Sequence, residues 1–299
     1  MTHSTVTPAE LSQISGPALQ ARRMWRRLRR NPVSVAAVIF IAFLFLCAVF
    51  APWIAPYDPD ATDAASSLMS VSAQHPFGTD IYGRDQLSRI IYAARIDLLV
   101  PFAATFGALA VGSMIGAISG YAGRWIDQII MRVVDALMAF PALVLAMGLT
   151  AALGNSIGNL ILAIGITQVP VYLRLMRGEM LRVREMEYAE AASIVGNPRW
   201  RIVFVHLVPN CIPPLIVQAT LAMGFALLTM AALSFLGLGI QPPNSEWGEM
   251  TAEGATQMVT GEWWLFTFPG IVIMMTVLSF NLVGDALRDL LDPRMRGVK

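Results

Sequence analysis

The chain has 299 residues and a formal net charge of +1, with 56% of its residues hydrophobic and only 14% charged; its mean hydropathy is +0.60. A soluble domain of this size carries about 25% charged residues, so a soluble enzyme is excluded, and the near-neutral balance argues against a nucleic-acid binder. Cys47 and Cys211 both lie in apolar runs and supply neither a disulfide framework nor a zinc site.

Arg22, Arg23, Arg26, Arg27, Arg29 and Arg30 precede the first apolar run. That run is longer than a signal-peptide core and lacks a small-x-small cleavage site, so it reads as a retained anchor. The basic stretch reads as an orientation signal and a helix on the inner membrane surface, in contact with anionic lipid. Crossing about 30 Å of hydrocarbon takes about 20 apolar residues. Charge-free stretches run from Asn31 to Tyr57, Leu98 to Gly123, Ala136 to Leu173, Ile202 to Ser245 and Trp263 to Gly284. The third contains Gly154-Asn155-Ser156-Ile157-Gly158-Asn159, which is turn chemistry, and so divides into two spans. In the fourth, Pro209 and Pro213-Pro214 mark where the chain enters the membrane, and the residues from Leu236 to Pro243 mark where it leaves. The prediction is an all-α integral membrane protein with six transmembrane helices, near 33–55, 98–120, 134–153, 157–174, 212–237 and 263–284. With the N-terminus inside, eighteen Lys and Arg lie on the inner side and three on the outer. The positive-inside rule then puts both termini in the cytoplasm.

The outer segments carry half of the acidic residues. Gly83 to Leu98 places Leu87, Ile90, Ile91 and Ala94 on one helical stripe, with Arg84, Asp85, Arg89 and Arg95 on other faces. This predicts an amphipathic helix lying on the membrane surface, or else part of a docking surface. His75, just before Pro76, reads as a turn residue rather than a metal ligand. The segment from Gln241 to Trp247, stiffened by Pro242-Pro243, reads as an outer loop, with Glu249, Glu253 and Glu262 either solvated, gating or contacting a partner. Asp97, Asp135 and Asp285 read as snorkelling or capping residues at span ends. Methionines within the spans, Met114 and Met230 among them, fit packing or lipid contact better than a pore lining. Thr105, Ser113, Ser119, Asn210, Gln218, Thr229, Thr276 and Asn281 either line a path or bond between helices.

Several chemistries are missing. A phosphate-binding loop needs a lysine, and the one lysine is Lys299. None of the six spans has a central carboxylate of the kind that binds a coupling ion. The three histidines, His3, His75 and His206, are far apart in topology. An energy source on another protein is the reading these absences favour; the alternative is an ion-coupled secondary transporter acting without an ATPase.

Residues 174–206 form the longest internal segment on the inner side. Glu187 to Ile194 reads as a short helix with Ala189, Ala191, Ala192 and Ser193 on its surface. Gly196 stops it and Asn197-Pro198 redirects the chain into a second helix through Ile202, Val203 and His206. A compact helix of small residues projecting from the membrane suits a groove on a partner, though it is also what an ordinary amphipathic connector looks like. Glu190-Ala191-Ala192 with Gly196, followed thirteen residues later by Pro209, resembles the EAA signature of ABC-importer permeases. Arg30-Asn31-Pro32, His75 to Asp85 (HPFGTDIYGRD), Met131 to Asp135 with Phe140-Pro141, Leu233 to Gly239, Gln241-Pro242-Pro243, Glu246-Trp247-Gly248 and Phe280 to Asp285 are similar to the C-type permease of dipeptide, oligopeptide and nickel importers.

The resemblance implies a type I importer permease fold in the bacterial inner membrane. It implies a cytoplasmic tail over 1–32, a first helix with a large periplasmic segment over 33–97, a core five-helix permease domain over 98–286 and a cytoplasmic tail over 287–299. Its partners would be a second homologous permease, two cytoplasmic ATPases and a periplasmic or lipid-anchored solute-binding protein. ATP and Mg would sit on the ATPases, with no cofactor on this chain and no active site. The substrates implied are di- or oligopeptides or similar small solutes. By the same resemblance Glu190, Ala191, Ala192, Gly196, Asn197, Pro198 and Pro209 couple to an ATPase, and Gly78, Thr79, Asp80, Gln241, Pro242, Pro243 and Trp247 face the binding protein.

Overall fold

The computed structural model describes residues 31–291, which are helical with one isolated bridge between Thr79 and Asp85 and no β-strand. The basic stretch 22–30 and the cations Arg294, Arg296 and Lys299 lie outside the described residues. Helix α1 (Pro32–Ile54) starts where Asn31 Oδ1 accepts the Val33 and Ser34 N–H groups and Pro32 occupies the first turn. It exposes Ile39, Phe43, Leu46 and Phe50, an apolar stripe suited to lipid. A loop over residues 55–85 follows, then α2 (Gln86–Ala122).

After α2 come α3 (Arg124–Met138), α4 (Ala142–Leu153) and α5 (Ile157–Val183), which Ser156 caps through the Asn159 N–H. Next are the short α6 (Glu187–Ile194), the long α7 (Arg199–Phe235), α8 (Trp247–Gln257) and α9 (Trp263–Leu291). Helices α1, α2, α5, α7 and α9 are long and apolar enough to cross a membrane. With α3 and α4 counted as one broken span, there are six crossings, and Pro32 and Leu291 emerge at the same end of the bundle. That end carries α6; the opposite end carries the 55–85 loop and α8.

The core falls into three clusters of buried residues. At the α6 end Met176, Met180, Val183, Ala189, Ile202, Val203 and Leu207 pack together. Val100, Ala104, Ala146, Leu160, Ala226 and Met230 form a second cluster among α2, α4, α5 and α7. At the loop end Leu44, Ile90, Leu98, Trp247, Met250 and Phe280 form the third cluster. Thr105 donates to Gln168 Oε1 (3.2 Å) and Gln168 Nε2 donates to the Ala222 carbonyl (3.4 Å), tying α2, α5 and α7 by buried polar bonds.

Four expectations are corrected. The span predicted at 134–153 is broken at Ala139–Pro141, where α3 and α4 meet at 88°. Pro141 has no N–H to continue the helix and disfavours the helical region for Phe140. The segment 83–98 is no surface helix. From Gln86 on it is the outer part of α2, with Arg84 and Asp85 in the loop just before it, and Arg84, Asp85 and Arg89 are buried, because Asp80, Glu249 and Glu253 neutralise the arginines.

The span predicted to start at 212 begins at Arg199 and passes Pro209, Pro213 and Pro214 unbroken. Residues Ile202–Leu207 are wound as a π-helix, with the Val208 N–H reaching the Val203 carbonyl five residues back. These wider turns stand immediately ahead of the three prolines. Finally, Asp97 does not cap a span end. It lies within α2, fully buried, and accepts the Trp247 N–H (3.1 Å), so it caps another helix.

Candidate functional site

Two places collect the residues singled out in the sequence. The first is α6, which is helical over the predicted residues. Gly196 adopts φ +85°, a conformation that L side chains resist. Around it the Gly196 N–H donates to the Ser193 carbonyl (2.9 Å), and the Asn197 side chain donates to the Ala192 carbonyl (3.0 Å), so the helix end is satisfied locally. Ala189 is buried against the bundle rather than on the surface, a correction to the sequence reading; Ala191 and Ser193 are exposed.

Ile194 and Val195 are 79% and 81% exposed, and Trp200 follows at 64%. Large apolar groups are thus left uncovered by any segment among the described residues, at the end of α6 and the start of α7. Behind them a cleft of about 460 Å³ is lined by Tyr121, Arg184, Glu185, Glu190 and Ser193. Pro198 precedes α7, and Pro209 lies on α7 just past the π turns. The whole group therefore stands on the base of a helix of 37 residues, about 55 Å long at 1.5 Å per residue, that reaches the other end of the bundle.

The second place is the loop end, and most of its chemistry was missed in the sequence. Asp80 Oδ2 accepts from Arg84 Nε (2.6 Å) and from Arg89 Nη1 (2.5 Å). Arg89 Nη2 lies 3.4 Å from Glu249 Oε2, and Glu253 Oε2 lies 3.7 Å from Arg84 and 3.9 Å from Arg89. Glu249 and Glu253, expected among outer-loop charges, are therefore largely buried on α8. Burial, and then the charge of Glu253, pushes Glu249 up to about 7; burial, and then Asp80, does the same to Glu253.

Glu246 caps α8 by accepting the Gly248 and Glu249 N–H groups, both at 2.8 Å, and burial pushes its carboxyl up as well. His75 holds a turn, its Nδ1 lying 2.9 Å from Asp85 Oδ1. The Thr79 hydroxyl donates to the Ser66 carbonyl (2.5 Å) and accepts the Met69 N–H (2.8 Å). Gly78, Thr79, Asp80 and Trp247 are thus buried and shape this end from within, whereas Gln241, Pro242 and Pro243 are exposed. The signal that was available is spacing on α8: Glu249 and Glu253 stand four apart, a distance that puts both on one helical face, whereas Asp80 and Arg84 lie in the loop before α2.

No group of three or more metal-ligating side chains is present among the described residues.

Comparison with known proteins bears on both places. Residues 112–297 match the family described as binding-protein-dependent transport system inner membrane component. Residues 20–75 match the N-terminal TM domain of oligopeptide transport permease C. The chain is 42% identical over 294 residues to the probable D,D-dipeptide transport system permease protein DdpC of Escherichia coli K12, covering 98% of this chain and 97% of that one. It is 44% identical over 275 residues to the dipeptide transport system permease protein DppC of Alkalihalophilus pseudofirmus, covering 92% and 90%. To the di/tripeptide transport system permease protein DppC of Pseudomonas aeruginosa it is 39% identical over 281 residues, 92% of each.

Proposed function

Since the chain belongs to the family of binding-protein-dependent transport system inner membrane components, a permease subunit of an ABC importer and not an enzyme, we propose that it forms one half of a pore for di- or oligopeptides, with α6 as the element that receives the ATPase stroke. The observation that carries this reading is the exposed tip of α6. Ile194 and Val195 stand free on a helix closed by the Gly196 turn and rooted through Ala189 among Met180, Val183, Ile202 and Leu207. Two cytoplasmic ATPases, carrying ATP and Mg, would seat α6 in a cleft. Ala191 and Ala192 permit close approach, Glu190 makes a charge-assisted contact, and Gly196, Asn197 and Pro198 keep the turn rigid. Pro209 stands where α7 leaves this base.

Transmission then needs no flexible joint. A push on α6 reaches α5 and α7 through packed side chains, and α7 carries it to the opposite end, where alternating access requires two discrete arrangements. A second homologous permease completes the pore, and a solute-binding protein docks at the loop end. Gln241, Pro242 and Pro243 offer the exposed contact there, while Gly78, Thr79, Asp80 and Trp247 hold the surface in shape. Both termini lie in the cytoplasm on this reading, as the distribution of arginine and lysine requires. The basic tail 1–32 meets the inner leaflet, the segment 33–97 supplies the first helix and most of the periplasmic face, residues 98–286 are the core, and 287–299 are a cytoplasmic tail. The relatives are named as peptide transport permeases, and the ion-coupled reading draws nothing from them.

The test is a mild-detergent pull-down of the tagged chain from native membranes, with mass spectrometry of what accompanies it. Recovery of a second permease and of ATPases is expected, with the ATPases lost in Glu190→Arg while membrane insertion is kept. Solute uptake by the purified chain alone would overturn the proposal.

A further inference from the structure

The loop-end cluster contains a charge imbalance. Two guanidinium groups, Arg84 and Arg89, face three carboxylates, Asp80, Glu249 and Glu253. Asp80 takes the short contacts from both arginines, at 2.6 and 2.5 Å, and the glutamates are left with 3.4, 3.7 and 3.9 Å. Arg89 is 0% exposed, its Nε has no partner, and neither has Glu253 Oε1. A third negative charge in so buried a place has no cation of its own, and a buried group in that position takes up a proton instead.

The neighbourhood offers no relief. Helix α2 contributes Arg89, Asp97 and Arg95, the last exposed and donating to the Ala48 carbonyl of α1; the 55–85 loop contributes Asp80, Arg84 and the Asp85–His75 pair; α8 contributes Glu246 beside its two glutamates; Glu262 follows on the connection to α9. The charged groups of α7 and α9, Arg199, Arg201, Asp285, Arg288 and Asp289, with His206, belong to the other end of the bundle.

The cluster also spans a joint. A Cβ at Gly248 would lie 2.5 Å from Ala231 Cα of α7, and one at Gly254 would lie 2.4 Å from the backbone of Leu265 and Phe266 on α9. Helix α8 is thereby pressed onto α7 and α9. It is held to α2 and the loop by the ionic contacts to Arg84 and Arg89, by the two bonds of Trp247, to Asp97 and to the Ile90 carbonyl, and at its first turn by the packing of Trp247 and Met250 with Ile90 and Leu98.

We propose that this cluster is a proton-operated latch: one proton held among Asp80, Glu249 and Glu253 keeps α8 docked on α2 and the 55–85 loop, and its loss loosens α8 against them. Burial and the neighbouring carboxylates push both glutamates up to about 7 in the docked arrangement. The inference goes beyond the transport reading and does not depend on which end faces outward.

The experiment uses the assembled importer in nanodiscs, where buffer reaches both faces, so a wrong orientation cannot mimic a failed latch. Spin labels at Ala64→Cys and Thr256→Cys, both exposed positions, go into a background with Cys47 and Cys211 replaced by alanine, and their separation is measured from about pH 5 to about pH 8. The ratio of parted to docked molecules should climb by up to about tenfold per pH unit towards 7 and level off above it, as release of one proton dictates. Glu253→Gln, of nearly the same shape, should stay docked throughout, and Glu249→Gln should do likewise, so the result survives if one variant fails to assemble. A separation that ignores pH in the unmodified cluster, or glutamine variants that part at about pH 8 as readily as it does, would overturn the latch.

Discussion

Gly196 has open space around its missing Cβ, yet its φ of +85° is one that a β-branched residue resists. Gly196→Val should cost about 1–2 kcal/mol in backbone strain without any clash, and that strain falls on the turn that fixes α6. The expected outcome is a complex that assembles and hydrolyses ATP but takes up solute poorly; ATPase and uptake measured on the same proteoliposomes check it. Arg89 is the opposite case, buried beyond reach of solvent. Arg89→Met leaves Asp80 and two glutamates with Arg84 alone, and removing one partner of a buried ion set costs about 3–5 kcal/mol. Thermal unfolding of the detergent-solubilised protein should show a clear loss. These two residues differ in how far the sequence reveals them. The glycine turn is local, so Ser193 to Pro198 carry the whole signal. Arg89 meets Glu249 across 160 positions, and until that partner is known an arginine on a helix can only be read as exposed.

Helix α2 is pressed onto α5 along Gly112, Gly116 and Gly120, spaced four apart on one face. A Cβ at Gly116 would lie 2.5 Å from the Leu173 carbonyl oxygen, and one at Gly112 would lie 2.8 Å from the Val169 carbonyl oxygen. The obstacles are backbone atoms, which cannot swing aside as a side-chain end does, so the helices must separate. Small residues at this spacing let membrane helices approach closely. Gly116→Leu should therefore destabilise by more than the ~1–3 kcal/mol of ordinary overpacking, with reduced yield of folded protein on size-exclusion chromatography, whereas Gly107→Leu, at a helical glycine with nothing within 4 Å, should be tolerated. The Gly-x3-Gly repeat is plain in the sequence, but a repeat of small residues does not say which helix it meets. Helix extents were more legible. Hydropathy places α1 at 33–55 against an observed Pro32–Ile54. It fails at 134–153 and before 212 because apolar content is blind to whether a proline ends a helix, as Pro141 does, or is carried through one, as Pro209 is.

At the scale of the whole molecule, six crossings follow from apolar length and turn chemistry, but the buried charge at the loop end follows from neither. Its consequence is a pH dependence of stability whose sign is fixed. Glu249 and Glu253 titrate near 7 in the folded protein against an ordinary 4.5. Between those values the folded chain holds protons that the unfolded chain has released, so unfolding releases protons and stability falls as pH rises. The stabilisation is complete below about 4.5 and gone above about 7, on the order of a few kcal/mol for the two groups together. Asp63 works in the other direction, because bonds from Ser66 and the Ala65 N–H hold its carboxyl below the usual range, but its effect belongs to pH below 3.8 and leaves the window between 4.5 and 7 untouched. Thermal unfolding of the purified protein should therefore show a midpoint that drops between about pH 5 and about pH 7 and is flat from there to about pH 8. The double replacement of Glu249 and Glu253 by glutamine should flatten most of the curve, since an uncharged side chain of the same length keeps the packing of α8 and has no proton to lose, and the slope left belongs to Glu246, whose carboxyl burial also pushes up.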